Sequence, residues 1–222
     1  MTREQAPLNG RQDIAATKVG TPQGASGLER LLRSLDQGAN HGPDALPRRA
    51  LPAVERWNPP FCGEIDMRIA ADGQWFYMGT PIGRLKLVRL FASVLVREGD
   101  AYRLVTPVEK VGIRVDDAPF QAVEMATDGE GPTLALSFRT NVDDVVSIGP
   151  DHGLRFECDA RGGLRPHVHV RRNLWARVTR ALTYDLLALG GVEQHGGQAM
   201  FGVRAGGVFW PAVAASEVED LA

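Results

Sequence analysis

Two spacings of hydrophobic residues run along the chain, and they predict where helices and strands lie. Residues 1–25 follow neither spacing and predict a disordered tail. Ser26 and Glu29 form a capping pair ahead of leucines at helical spacing, which predicts a short helix that ends at Gly38. Prolines crowd residues 39–60 and predict a linker.

Strict alternation begins after the linker. Apolar and polar side chains alternate in residues 64–70, Asp72-Gly73 suits a tight turn, and residues 75–77 resume the apolar pattern. These features predict a β-hairpin.

A helix is predicted directly after this hairpin. Thr80 suits its N-cap, Pro81 its first helical position, and Gly99 its end. Its apolar stripe consists of Leu87, Val88, Phe91, Val94 and Leu95.

Six β-rich runs follow, and the short turns between them predict antiparallel pairing. The runs are residues 102–105, 108–115, 120–126, 134–138, 154–157 and 168–170. Asn173 then suits the N-cap of a second long helix, with apolar residues at helical spacing as far as Leu186 and a stop at Gly190.

The last predicted hairpin, residues 201–210 with Gly206-Gly207 at its turn, echoes residues 65–77. We therefore expect two copies of one hairpin-plus-helix unit. Clustered strands with a few helices predict an α+β fold with antiparallel sheets. We place an α+β domain at residues 26–106 and a β-rich domain with a long helix at residues 107–222.

Composition and charge exclude several classes of protein. The formal net charge is −2, and residues 61–150 hold thirteen acidic against nine basic residues, so nothing there offers the positive stripe that a nucleic-acid polymer requires. No run reaches the ~20 apolar residues of a membrane span. Cys62 and Cys158 are too few for a disulfide framework, and we expect them reduced in a cytoplasmic protein.

Four polar groups are candidates for chemistry, since the sequence has no familiar catalytic motif and no zinc-binding spacing. His167, His169 and Arg171 alternate on one face of a strand, but without an adjacent third ligand we predict no metal. The plainer interpretation is the solvated side of a half-buried strand. Near Arg84 and Lys86, the free N–H groups at the helix start favour an anion, against the alternative of an exposed basic turn.

The other two groups lie in predicted loops. A proline breaks the strands at residues 104–110, which indicates either a cleft between subdomains or an ordinary edge bend with a surface ion pair. Carboxylates and an amide in residues 139–144 suit a divalent cation or sugar hydroxyls, but the same residue types also make simple turns.

Four long runs closely resemble an uncharacterised bacterial family, catalogued as domain of unknown function 1285. The runs are residues 57–84, 104–120, 138–152 and 165–186, and the resemblance spans about residues 26–211. It implies an internally duplicated α+β protein whose second half looks superficially like a pleckstrin-homology fold. It also implies a site between the halves for a nucleotide-like ligand and a signalling role, with no established activity.

The motifs of the family coincide with the candidate groups, so we expect several of these residues to share one cleft. The expected ligand-binding residues are Asp66, Arg68, Thr80, Arg84, Thr106, Glu109, Lys110, Arg139, Asn141 and Asp143. No catalytic residue, metal ligand or cofactor is assigned.

The favoured hypothesis is a ligand-binding module of bacterial signalling. Arg84, Lys110 and the helix N-terminus would take an anionic or phosphate group, and Asp66, Asn141 and Asp143 would meet polar edges of the ligand.

Two alternatives belong to other classes. In a small acid–base enzyme, Asp143 or Glu109 would be the general base and His167 or His169 the acid. In a protein–protein adaptor, the pleckstrin-like half would present an exposed apolar patch.

Overall fold

The computed structural model describes residues 51–159 and 162–219 of the chain. The predicted tail, the first helix and most of the linker lie outside the described residues. Within these residues are fifteen strands, three α-helices and two short 3-10 helices, Val54–Arg56 and Gly131–Thr133. None of the three described helices is long and apolar enough to span a bilayer.

The first half of the described chain forms a six-stranded sheet with one helix. Its elements are β1 (Phe61–Ile69), β2 (Trp75–Tyr77), β3 (Thr80–Pro81), α1 (Leu85–Ser93), β4 (Leu95–Glu98), β5 (Ala101–Val105) and β6 (Lys110–Val115). The strand order is β3-β2-β1-β6-β5-β4. β1 and β6 pair in parallel, and all other neighbours are antiparallel.

The second half forms another six-stranded sheet. Its strands are β7 (Phe120–Asp128), β8 (Ala135–Thr140), β9 (Val145–Ser147), β10 (Leu154–Cys158), β11 (Leu164–Arg171) and β12 (Leu174–Val178). The order is β10-β11-β12-β7-β8-β9, and β7 and β12 pair in parallel.

The two sheets have the same topology. In each, two three-stranded antiparallel meanders join through a parallel pair between the first strand of one meander and the last strand of the other. The expected duplication is therefore present, but the repeated unit is β1–β6 with β7–β12. The hairpin at residues 201–210 is not part of it. The change of sheet falls between Val115 and Phe120, after the boundary placed at residue 106, because β6 completes the first sheet.

A smaller third sheet follows the duplicated part. Its elements are α2 (Arg180–Ala188), β13 (Gly191–His195), β14 (Gln198–Ala205), β15 (Val208–Ala214) and α3 (Ala215–Glu219). The predicted final hairpin is confirmed as β14 and β15. Its turn contacts the second sheet, since the Gly206 N–H donates to the Leu134 carbonyl at 3.0 Å.

The helix predicted between Thr80 and Gly99 was wrong at both ends. Thr80 and Pro81 form a short strand at the edge of the sheet. Proline has no N–H to donate, and it is tolerated at an edge because one side of an edge strand has no neighbouring strand to bond. The helix ends at Ser93, and Leu95 begins a strand that pairs with β5. Gly99 lies in the turn between those strands.

The helix predicted to begin at Asn173 was wrong over its first half. Residues Leu174–Val178 form β12, with Leu174, Ala176 and Val178 buried at every second position. Leu174 and Val178 fit both helical and strand spacing, which is why the pattern misled. Asn173 has φ +60° in the turn before β12 and is not an N-cap. The helix that follows, Arg180–Ala188, has only nine residues.

One apolar cluster runs through both duplicated sheets and α1, so the halves share a core. Among its fully buried members are Phe91 on α1, Leu104 on β5, Phe120 on β7 and Leu174 on β12. Burial of one such side chain contributes roughly 1.5–3 kcal/mol. This shared core fixes α1 against the second half.

Gly73 marks a close contact between the halves. Its φ is +82°, and an added Cβ would lie 2.8 Å from Gln121 Cγ and 2.9 Å from Asn141 Nδ2. We expect Gly73→Ala to combine a left-handed backbone penalty of about 1–2 kcal/mol with an overpacking cost of about 1–3 kcal/mol. Gly79→Ala is the matched control, since Gly79 has φ +72° and open space around it. Equal losses of unfolding free energy in urea would contradict the close contact.

Candidate functional site

A cleft of about 230 Å³ opens where the second half meets the start of α1. We call it the helix-end cleft. Its lining residues are Gly73, Gln74, Trp75, Ile82, Gly83, Leu85, Val88 and Asn141. Seven of these residues belong to the first half, and Asn141 comes from the second, so the cleft lies between the duplicated halves.

The N-terminus of α1 forms one wall of this cleft. The Arg84 side chain does not cap the N–H groups of its first turn, and that turn has no acidic residue. Arg84 is the N-cap, and its carbonyl accepts from the N–H groups of Leu87 and Val88. Free N–H groups and the positive end of the helix dipole therefore favour an anion here.

Trp75 forms a second wall. The β1–β2 hairpin sets it opposite Ile69, and its ring stacks on Phe91 with centroids 6.1 Å apart. Only 1% of Trp75 is exposed, yet its indole Nε1 has no hydrogen-bond partner among the described residues. A buried donor without a partner costs about 1–3 kcal/mol. The Nε1 atom is itself buried, so other atoms of the ring face the cleft.

Asn141 closes the cleft from the second half. Its Oδ1 accepts from the Gln121 N–H at 3.1 Å, and its Nδ2 donates to the Gly73 carbonyl at 3.5 Å. The Gln121 side chain donates to the Ala71 carbonyl at 3.2 Å. These bonds fasten the loop after β8 to the β1–β2 turn.

Arg139 and Asp143 lie beside the cleft in an ion-pair network. Asp143 pairs with Arg89 of α1 and accepts from Arg139 at 2.8 Å. Arg139 also pairs with Glu124, and this hydrogen bond raises the pKa of Arg139 above its ordinary value. The pair therefore holds the loop to α1 and does not line the cleft.

The other end of α1 is held by the second half as well. Arg171 donates to the Ala92 carbonyl at 2.9 Å, and Arg172 to the Ser93 carbonyl at 2.8 Å. Two cations at the negative end of the helix dipole stabilise α1. Arg171 also pairs with Asp144. Both ends of α1 thus contact the second half.

Asp66 and Arg68 lie elsewhere, on β1. Arg68 forms a bidentate ion pair with Asp116 at the junction of the halves and lies 5.7 Å from the centre of the Phe76 ring. Asp66 is exposed, and its carbonyl accepts from Met78 N–H. Thr80 is exposed on edge strand β3. None of the three lines the helix-end cleft.

Thr106, Glu109 and Lys110 lie at the opposite side of the first sheet. The Thr106 hydroxyl accepts from the Glu109 N–H at 3.1 Å within a tight turn, and both residues are buried. Lys110 donates to Glu98 at 3.0 Å. The plainer interpretation, a bend with an ion pair, describes this turn, although Lys110 does line a separate cleft.

That separate cleft, the edge cleft, has a volume of about 320 Å³. Its lining residues are Val54, Glu55, Trp57, Asn58, Pro59, Val96, Arg97, Glu98, Val105, Lys110 and Arg172. Its cations are engaged, since Lys110 pairs with Glu98 and Arg172 with Glu55. The ten expected residues therefore do not converge on one site: Asn141 lines the helix-end cleft, Arg84 lies between two lining residues, and the others lie outside it.

The histidines of β11 are bound to backbone and not presented to solvent as a pair. The Nδ1 of His167 contacts the Arg165 carbonyl at 3.0 Å, and that of His169 contacts the Asp151 carbonyl at 2.9 Å. Because a carbonyl only accepts, each Nδ1 carries the proton. His167 is 1% exposed, so the interpretation of a solvated face was wrong at that position. No group of three metal-ligating side chains occurs in the part of the chain that the structure describes.

Burial makes His167 a source of pH dependence. It lowers the pKa of His167 below its ordinary value, although Glu157 and Asp117 act in the opposite sense. The unfolded chain takes up this proton near pH ~6.5, and the folded protein only at lower pH. The stability that the neutral ring confers is therefore present above about pH 6.5 and is lost as the pH falls through the folded pKa.

We expect the free energy of unfolding to fall below about pH 6.5 by up to ~1.4 kcal/mol per pH unit through this group. His167→Asn, which keeps a donor near the Nδ1 position, should remove that part of the slope in urea unfolding series. His195→Asn, at an exposed histidine, should leave it unchanged. The same slope in all three proteins would contradict the assignment.

The acid–base hypothesis requires an imidazole near Asp143 or Glu109. The Asp143 carboxylate instead pairs with Arg89 and Arg139, and the groups that act on His167 include Glu157 and Asp117. Among the described residues, Asp143 has no imidazole partner in an ion pair or a hydrogen bond.

Trp75, which lines the helix-end cleft, was not predicted as a site residue. Its signal was a tryptophan in a short strand just ahead of an uncapped helix start.

Comparisons with known proteins agree on the kind of chain this is. Residues 52–118 match the model of the N-terminal domain of DUF1285, a domain of unknown function, and residues 119–212 match its C-terminal domain. The crystal structure of a DUF1285 family protein from Silicibacter pomeroyi DSS-3 is 48% identical, covers 79% of this chain and 94% of that one, and has a TM-score of 0.73.

A second solved structure is more distant. The DUF1285 family protein from Shewanella baltica OS155 is 29% identical, covers 55% of this chain and 90% of that one, and has a TM-score of 0.44. No curated protein matches.

Proposed function

The chain belongs to the DUF1285 family, whose function is unknown, and from the geometry of its cleft we propose that it binds a small anionic ligand at the N-terminus of α1. The observation that carries the proposal is the first turn of α1 at the wall of that cleft, which has no acidic residue and no cap from the Arg84 side chain. The Asn141 amide lines the same cleft from the second half. Free N–H groups at the positive end of a helix dipole favour an anion.

Arg84 and Lys86 add positive charge beside these donors. They stand in the first turn of α1, where cations oppose the helix dipole. A bound anion would offset that unfavourable term. The network of Asp143, Arg89 and Arg139 holds the loop that carries Asn141, so the cleft is fixed before ligand arrives. A fixed site spends less of its binding energy on ordering side chains.

The proposal extends to the role of the protein only as far as the family resemblance does. A binding module between two duplicated halves, both of which contact α1, suits a receptor in bacterial signalling. The likeness of the second half to a pleckstrin-homology fold belongs to the same proposal. Catalysis forms no part of it, because the supporting residues are hydrogen-bond donors without a nucleophile or base among the lining residues.

A thermal-shift screen against phosphorylated and carboxylated metabolites tests the proposal. A ligand at 100 times its Kd adds ~2.7 kcal/mol to the free energy of unfolding.

Charge variants supply the control for this screen. Arg84→Ala should weaken binding, whereas Arg114→Ala, at an exposed arginine of β6 outside the cleft lining, should not. If no anion raises the melting temperature of the wild type, or if Arg84→Ala binds as the wild type does, the proposal is wrong.

A further inference from the structure

Two histidines that the proposed function does not use lie side by side on the second half. His152 lies in the loop between β9 and β10, and His169 lies on β11. Their ring centres are 5.8 Å apart. The His169 N–H donates to the Gly153 carbonyl at 2.9 Å, so the backbone holds the loop against the strand. Neither histidine lines the helix-end cleft or the edge cleft.

Both rings are oriented by the same kind of hydrogen bond. The Nδ1 of His152 contacts the His169 carbonyl at 3.1 Å, and the Nδ1 of His169 contacts the Asp151 carbonyl at 2.9 Å. Because a carbonyl only accepts, each Nδ1 carries the proton, and each Nε2 of the neutral ring keeps a lone pair. Histidines that bind metals almost always donate their other ring N–H in this way, which fixes the tautomer and the ring orientation.

Both Nε2 atoms are accessible to solvent. Neither has a hydrogen-bond partner among the described residues. Both residues are half-buried, but neither Nε2 is among the buried side-chain atoms that lack a partner. Each Nε2 therefore presents its lone pair to water, and the two nitrogens come from different elements of the fold.

The separation of the rings suits one metal ion between them. A Zn–N bond is about 2.0–2.1 Å long and the ring centre lies roughly 1.15 Å behind Nε2, so two rings at a tetrahedral angle have centres about 5.2 Å apart. The same bond lengths allow about 6.4 Å when the two nitrogens lie on opposite sides of the ion. The observed 5.8 Å lies between these limits. One ion can therefore contact both Nε2 atoms.

The charges around the pair are compatible with a cation. Asp151, whose carbonyl holds His169, is an exposed acidic residue. The Arg155 guanidinium lies 4.4 Å from the centre of the Trp175 ring, and that ring centre is 5.2 Å from the centre of the His169 ring. Arg155 is paired with Glu157 at 3.1 Å, so its charge is offset.

We infer that His152 and His169 form a two-histidine site for a divalent metal ion of the Zn²⁺ or Ni²⁺ kind. Imidazole suits these ions, whereas Mg²⁺ and Ca²⁺ prefer oxygen ligands. No group of three metal-ligating side chains occurs in the described part of the chain, so water fills the other positions on the ion. The site is open to a further ligand, unlike a closed structural zinc site with four protein ligands. It does not depend on the anion site at α1.

Calorimetric titration of the full chain with Ni²⁺, Zn²⁺ and Mg²⁺ tests the inference. We expect Ni²⁺ and Zn²⁺ to compete for this site and Mg²⁺ not to displace them. His152→Gln and His169→Gln should each weaken Ni²⁺ binding by at least the ~10–100-fold that loss of an outer-shell partner costs. The double variant should bind about as weakly as either single variant, because one histidine cannot chelate alone. His195→Gln, at an exposed histidine beside Phe209, is the matched control and should leave the affinity unchanged.

Paramagnetic broadening by Ni²⁺ locates the ion in the wild-type protein, so the test does not rely on the folding of any variant. Ni²⁺ should broaden the NMR signals of the His152 and His169 rings and of the Trp175 indole before those of other side chains. Equal Ni²⁺ affinity in the wild type and both single variants would overturn the inference. Displacement of Ni²⁺ by Mg²⁺, or broadening centred on His195 or on the cysteines, would overturn it too. None of these results bears on the anion screen, so the two proposals fail separately.

Discussion

Arg171→Met should lower the free energy of unfolding by about 3–5 kcal/mol, because it removes one partner from a largely buried ion pair. The Arg171 side chain is 11% exposed and pairs with Asp144, which is 22% exposed. The same guanidinium donates to the Ala92 carbonyl at the end of α1. Methionine keeps the apolar stem and leaves the carboxylate and the carbonyl without this donor. Urea unfolding followed by circular dichroism measures the loss.

A surface pair provides the control for this variant. Arg204 pairs with Glu193 in the third sheet, and each side chain is about one third exposed. We expect Arg204→Met to cost much less than Arg171→Met, because solvent screens this pair. Asp144→Asn added to Arg171→Met should recover part of the loss, since no uncompensated charge then remains. Equal costs for the two arginine variants would show that Arg171 does not hold α1 to the second half.

Phe120→Ala should cost about 3–5 kcal/mol, because it removes a fully buried ring at the centre of the second sheet. Phe120 lies opposite Ala176 in the parallel pair of β7 and β12. The Arg171 guanidinium also lies 4.9 Å from the centre of its ring. Truncation therefore loses apolar burial and a cation–π contact together. Urea midpoints at constant slope give the change.

Phe61→Ala isolates the burial contribution. The Arg103 guanidinium lies 4.2 Å from the centre of the Phe61 ring, so this residue also makes a cation–π contact, but Phe61 is 49% exposed. We expect this variant to lose no more than ~1.5 kcal/mol, mostly from the partly exposed contact. Phe120→Ala combined with Arg171→Met should cost less than the sum of the single losses, because the two residues touch. Strict additivity would mean that they act independently.

Local signals were enough for much of the fold. The alternation in residues 64–77 and the glycine pair at 206–207 predicted hairpins that the structure contains. Such hairpins depend on neighbouring residues only, so their pattern is visible in sequence. The α+β class with mostly antiparallel sheets also followed from the spacing of strands and turns.

The pairing of strands that are distant in the sequence could not be predicted from the sequence alone. β1 pairs with β6, and β7 with β12, across about fifty residues of chain in each case, and no local pattern encodes such partners. β12 was mistaken for a helix because Leu174 and Val178 satisfy both spacings. Residues 174–178 form a strand because they are paired between β11 and β7. Those neighbours are present only in the assembled sheet.

For the candidate site too, local features were predicted from the sequence and long-range contacts were not. The helix start near Arg84 and the loop at Asn141 were visible as separate groups, because free N–H groups and an amide are local features. Their meeting at one cleft depends on the contact between the halves. Trp75 was missed because its unpaired N–H is defined by what surrounds it, and a sequence shows no missing partner.

The most direct test of the anion site is a two-dimensional NMR spectrum that correlates each N–H proton with its nitrogen, recorded during titration with phosphorylated and carboxylated metabolites. We predict that the Trp75 indole signal and the backbone signals of Gly83, Leu85 and Lys86 shift together and saturably with at least one of these anions. The Trp210 indole, which donates to the Ala205 carbonyl, should stay in place. Unchanged Trp75 and Leu85 signals at saturation, or shifts confined to the edge cleft, would contradict the account.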